Sequence, residues 1–190
     1  EAMAAWSAQG YHIQHWYQLI ADTQTDLYEG DGEAAFERLM RGWPALRRSM
    51  LLQMHHTRTV AVHLRGRAAL AGAIAASGEP RRERLDVARR AAARLRRARG
   101  WGAAMGALLM AGVEHVAGRT AEAGAWAARA VDETGGHQLG LFQAAARLAL
   151  GAIARDTDAT AAGESWMREN GARAPPAVAR MLAPGPFERD

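Results

Sequence analysis

Two groups of side chains in this chain have the types and spacing to do chemistry. The first is histidine. His12 and His15 stand three residues apart, and His55, His56 and His63 follow further along. Imidazoles presented by two packed helices are raw material for a zinc or copper site. The pattern stops short of one. There is no HExxH, and no acidic residue stands at ligand spacing. His115 directly follows Glu114, and neighbours on a helix point apart. Packing and hydrogen bonding are the simpler role for these imidazoles, and no metal is assigned.

The second group is arginine. Between residues 80 and 99 stand Arg81, Arg82, Arg84, Arg89, Arg90, Arg94, Arg96, Arg97 and Arg99, against only Glu83 and Asp86. At 100° per residue Leu85, Ala88, Ala91, Ala92, Leu95 and Ala98 form one face of a helix. Arg82, Arg89, Arg90, Arg94, Arg96 and Arg97 form the other. Such a face could track the phosphates of a nucleic acid or dock an acidic partner. It could equally be the solvated side of a surface helix in an Arg-biased chain, which is the simpler account. No aromatic residue is interleaved for base stacking, which weakens nucleic acid as the partner.

Aromatic residues concentrate near the start. Tyr11, Trp16, Tyr17, Tyr28 and Trp43 could line a groove for a peptide or small ligand. Packing between the first helices is the plainer reading.

Enzyme templates fit poorly. Cys is absent from the 190 residues, which excludes disulfides, thiolate catalysis and Cys-type metal sites. Lys is absent too, since all 24 basic residues are Arg. That removes the Walker A lysine, the kinase strand lysine and any Schiff base. Ser7, Ser49, Ser77 and Ser165 lack a GxSxG elbow. The glycines from Gly106 to Gly112 have the wrong spacing for a phosphate loop. Asp22 and Asp26 are four apart on a helix face that solvent would cover. No catalytic or cofactor-binding residue is assigned.

These side chains must be positioned by helices. Apolar residues make up 49% of the chain, which argues against disorder, and strand-like runs are missing. The composition is rich in Ala, Arg and Gly, so the net charge of +4 and the pI near 10.5 say little by themselves. Gly30-Asp31-Gly32, Ser77 to Pro80, Gly118-Arg119-Thr120 and Asp156-Thr157-Asp158 read as tight turns. A second set, at Gly42-Trp43-Pro44, Gly100-Trp101, Gly135-Gly136 and Gly171 to Pro176, alternates with them. The periodicity predicts helices over 4–29, 32–42, 49–76, 80–99, 101–117, 120–134, 137–154, 157–170 and 175–183. Pro44 and Pro80 would open helical turns, and Thr120 and Asp156 or Thr157 would cap them.

Paired in order, these give an all-α fold. It is expected to be antiparallel hairpins stacked as a tetratricopeptide-like right-handed solenoid, about four hairpins plus a short C-terminal capping helix, forming a single domain over 1–190. Ala111, Gly118, Ala123 and Ala130 have the spacing of the small positions in such a unit. Gly30 and Ala35 echo it, with Gly42 replacing the last Ala. No signal peptide or membrane span is predicted, so the expectation is a cytoplasmic module. A first residue other than Met suggests a piece of a larger protein. Ala-rich faces leave a dimer open.

Several stretches carry a resemblance. They are Gln14-His15-Trp16-Tyr17, Asp26 to Gly30, Trp43 to Leu51, Arg65 to Ala71, Trp166 to Pro175 and Met181 to Gly185. Together they resemble the C-terminal helical region of large bacterial serine/threonine protein kinases of the myxobacterial type. The resemblance implies kinase chemistry outside this chain and a non-catalytic tail that docks a protein or peptide and regulates the attached kinase. The other reading is a ligand-sensing helical domain of an ATPase-type transcription regulator, with a small molecule in the aromatic groove.

Overall fold

A computed structural model of the chain describes residues 10–98 and 100–187. The expected helical stretch from residue 4 to residue 9, Ser7 and Arg99 lie outside them. Among the described residues there are nine α-helices and no strand. They are α1 (Ile13–Glu29), α2 (Gly32–Arg48), α3 (His55–Ala75), α4 (Gly78–Arg96), α5 (Trp101–Val116), α6 (Thr120–Gly136), α7 (Gly140–Ala154), α8 (Thr157–Glu169) and α9 (Pro175–Leu182).

The turns follow the local chemistry. Gly30 takes φ 87°, a left-handed conformation that costs a glycine little, and so ends α1. Asp31 then caps α2, its carboxylate accepting from the Ala34 N–H at 2.9 Å. Asp156 caps α8 in the same way through Ala159. Thr120 is not a cap: it is the first residue of α6, and Arg119 before it makes no side-chain capping bond. Pro80 falls in the first turn of α4, where a missing N–H leaves nothing unpaired.

Several helix boundaries differ from expectation: residues 10–12 are not helical, α1 beginning at Ile13, and α4 ends at Arg96. α2 does not stop at residue 42 but runs through Pro44 to Arg48. The proline removes one backbone bond there. Leu39 and Leu46, both fully buried, anchor the helix on either side of it. Burial outweighs the local helix-breaking preference. α3 begins at His55 rather than 49, because Met50–Gln53 forms a short 3-10 turn. The Ser49 hydroxyl donates to Leu46 O at 2.7 Å at the end of α2.

Each helix packs on its neighbours in sequence, so the helices form consecutive pairs. Beyond these, α3 touches α5, α5 touches α7, and α9 returns to pack on α7 and α1. The core is rich in alanine. Ala111, Ala123, Ala127 and Ile153 form one cluster between α5, α6 and α7. Trp16, Leu27, Leu39, Leu46 and Leu64 form another between α1, α2 and α3. Small residues let the axes approach. A Cβ on Gly42 would stand 2.8 Å from a Leu19 methyl, which explains glycine where the later hairpin has Ala130. No helix among the described residues is long and apolar enough to cross a membrane.

Candidate functional site

The arginines of α4 divide into two groups. Arg81, Arg84 and Arg96 turn inward. Arg81 donates to Ala73 O and Val116 O, both at 3.1 Å, and so satisfies carbonyls in the last turns of α3 and α5. Arg84 donates to Glu33 at 2.6 Å and to Gly72 O at 2.8 Å, with its guanidinium over the Phe36 ring. The hydrogen bond from Arg84 holds the Glu33 carboxyl below its ordinary range.

Arg96 corrects an expectation. It belongs to the inward group and not to a free basic surface. It pairs with Glu133 of α6, donates to Ala103 O at 2.7 Å and lies against Trp126. Burial would raise the Glu133 carboxyl, but hydrogen bonds from Arg96 and Arg129 outweigh it and hold the group low. Arg89 is half-exposed and pairs with Asp86 at 3.1 Å. Arg82, Arg90, Arg94 and Arg97 face solvent.

The five aromatic residues do not form one groove. Trp16 is 2% exposed and belongs to the core, whereas Tyr17 beside it is 62% exposed. Consecutive residues on a helix point about 100° apart, so these two cannot share a wall. Tyr28 is partly exposed near the end of α1. Tyr11 stacks on His15, and burial pushes its phenol up to about 12. Trp43 lies under the Arg65 guanidinium, 4.6 Å from it.

Trp43 does meet part of the basic face. With Arg65, Arg90 and Arg94 it borders a shallow cleft of about 170 Å3 between α2, α3 and α4. Burial lowers the Arg65 guanidinium, and the charges of Arg90, Arg47 and Arg94 lower it further. The cleft is therefore electropositive, but small.

A larger cavity, of about 440 Å3, opens on the side shared by α1, α3, α5 and α7. Its apolar walls include Ile20 of α1, Val60 and Leu64 of α3, Trp101 and Met105 of α5, and Leu139 and Phe142 at the start of α7. Its polar lining is Gln24, His56, His63 and Arg67. Among the described residues no carboxylate or hydroxyl side chain lines it.

His63 and Arg67 stand one turn apart on α3, a separation that places side chains on one face. His63 is 2% exposed. Its Nε2 has no hydrogen-bond partner, and its ring meets Phe142 edge-on. Burial, and then the charge of Arg67, hold this imidazole well below its ordinary value, so it is neutral at pH 7. Arg67 is 4% exposed. Burial lowers it to about 10, so it remains a cation at neutral pH. Its Nη1 donates to Met181 O of α9 at 2.8 Å, and its Nε has no partner. Among the described residues it has no carboxylate partner.

His63 stood out in the sequence only as a metal candidate. Among the described residues no three His, Asp or Glu side chains gather into a metal-holding group. His12 and His15 instead close the start of α1, where the His12 N–H donates to His15 Nδ1 at 3.0 Å. Arg67 had no functional reading from the sequence. The available signal was a pair of cations, Arg65 and Arg67, in the otherwise apolar stretch from Leu64 to Ala71.

The chain itself covers part of the same side, leaving a cavity of about 370 Å3 beside Gly30, Ile74 and Arg180. α9 lies between α7 and α1, where Arg180 donates to Tyr28 O at 3.0 Å. Pro184 follows against Gly112 of α5, where a Cβ would strike the proline carbonyl. Comparison with protein-family models, curated proteins and solved structures finds no significant match.

Proposed function

We propose that this chain is a non-catalytic binding and regulatory module. Its consecutive hairpins form a tetratricopeptide-like right-handed solenoid, capped by α9. The side shared by α1, α3, α5 and α7 is its concave face. That face takes up a segment of a protein partner, and the curvature of the stack sets the position of whatever is attached. The attached unit is a cytoplasmic serine/threonine protein kinase, on the strength of the resemblance alone.

The observation that carries the binding reading is α9. A short helix already rests against this side, held partly through backbone carbonyls that any sequence offers: Met181 O accepts from Arg67. Phosphate incorporation from labelled ATP, measured in the parent polypeptide with and without residues 1–190, tests the assignment. Incorporation that changes on deletion supports a kinase regulator. None from either folded protein removes the kinase.

The cavity favours a second reading, a ligand-sensing domain. It is of ligand size, largely apolar and supplied with a few convergent polar groups. It lies beside α9 and not in the aromatic cluster near the start of the chain.

A further inference from the structure

We propose that the cavity between α1, α3, α5 and α7 binds a small organic monoanion, a carboxylate on a compact apolar body, through Arg67 and His63. The inference rests on the ligand-sensing reading and names its ligand class.

Arg67 is the main argument. A cation this deeply buried is costly unless it is paired with an opposite charge. Among the described residues its one hydrogen-bond partner is the neutral carbonyl of Met181, and no carboxylate of those residues lines the cavity. Its Nε–H is left over. Four residues away the Nε2 of His63 is left over as well. Orphaned polar atoms on two buried side chains of one helix face are uncommon in a finished core. A carboxylate at the cavity wall would supply the missing negative charge, and a small shift of the two side chains, whose orphaned atoms are sealed from solvent, would bring one oxygen to the Arg67 Nε–H and the other to an Nε2 proton on His63. The pairing is charge-assisted and sits in a poorly screened site.

Charge count and wall chemistry narrow the class. One buried cation beside one neutral imidazole balances a single negative charge. A phosphate dianion would enter with a charge left over. A metal ion would face the Arg67 cation. Ile20, Met105 and Phe142 offer nothing to a second charged group, and with Trp101 they suit a ring or short alkyl chain. The volume of about 440 Å3 is in the range of small-ligand sites.

The test uses the full chain in thermal unfolding and calorimetric titration. The probes are phenylacetate, indole-3-acetate and octanoate, each beside its neutral primary amide. At least one carboxylate should raise Tm saturably, by on the order of 5 °C, with its amide about tenfold weaker or worse. Arg67→Met should abolish the effect. Leu139→Trp, which fills the cavity from its partly exposed rim and leaves the guanidinium in place, should abolish it too. If neither a carboxylate nor its amide shifts Tm, the ligand-sensing reading and this proposal both fail; if only an amide does, the anion proposal alone fails. If amide and acid bind alike and Leu139→Trp blocks both, the cavity is a ligand site and the anion assignment is wrong. Binding that survives both variants places the ligand elsewhere and overturns the proposal.

Discussion

Arg67, in the middle of α3, donates through Nη1 to the backbone carbonyl of Met181, 114 residues further on in α9, at 2.8 Å. One buried guanidinium thus holds the returning C-terminal helix and also borders the cavity beside it. The contact recognises a carbonyl and not a side chain, so it fixes the position of α9 without specifying its sequence.

Replacing Arg67 by Met should therefore separate two effects. Removing a buried, uncompensated cation relieves a desolvation penalty, while losing the bond leaves Met181 O short of a donor. The first offsets the second, so global stability should fall by no more than about 1 kcal/mol. Amide exchange in 178–182 should nevertheless accelerate. Arg67→Ala adds an unfilled volume and should cost about 2–4 kcal/mol. Urea unfolding of both variants, with hydrogen exchange read at α9, checks the pair.

His63 should make the protein sensitive to mild acid. Its folded-state pKa lies below the ordinary 6.5 because of burial and the neighbouring Arg67 charge. The unfolded chain therefore takes up a proton that the folded chain refuses. This contribution is complete above pH 6.5 and is lost as pH falls below it, with a slope of at most about 1.4 kcal/mol per pH unit. Phe142 meets the His63 ring, and of the described residues lining the same cavity those from α1, α5 and the start of α7 carry no charge; the ionisable ones are His56 and Arg67, both on α3. His63→Gln should flatten the stability profile below pH 6.5 in chemical denaturation.

Arg96 and Arg90 should respond differently to charge reversal. Arg96→Glu sets a second carboxylate against the largely buried Glu133 and should cost about 2–3 kcal/mol. Arg90→Glu on the exposed face should stay within about 0.5 kcal/mol. Binding tests of the basic face therefore belong to an Arg90→Glu, Arg94→Glu double variant, in which folding is preserved. Salt-dependent nucleic-acid affinity lost in that variant would establish the face as an interface.

Gly112 offers a test by sign. Gly→Ala inside an exposed helix ordinarily gains about 1 kcal/mol. At Gly112 the new methyl would run into Pro184 O and Leu70. The substitution should instead destabilise by about 1–3 kcal/mol and release residues 184–187 to faster exchange. Thermal melts with exchange at the C-terminal segment read both parts.

Much of the fold was legible in short-range chemistry. Gly30 with Asp31, Gly118 and Asp156 mark turns because each acts within a few residues, through a left-handed backbone or a capping bond. What failed was decided at a distance. Pro44 stays helical because Leu39 and Leu46 are buried on both sides of it. Arg96 reads as surface until Glu133, 37 residues later, is placed beside it. The aromatic cluster dissolves because Trp16 and Tyr17 sit on different faces of α1. The cavity draws on four helices, and no local pattern announces it.

The central claim is that the side shared by α1, α3, α5 and α7 is the binding face. Photo-crosslinking from that face tests it most directly. A photoreactive phenylalanine analogue would replace Phe142 on the inner side, or Tyr17 on the exposed side of α1, in the parent polypeptide. The account predicts adducts from position 142 that map to one defined segment and vanish with Leu139→Trp. Defined adducts from position 17, with none from 142, would contradict it.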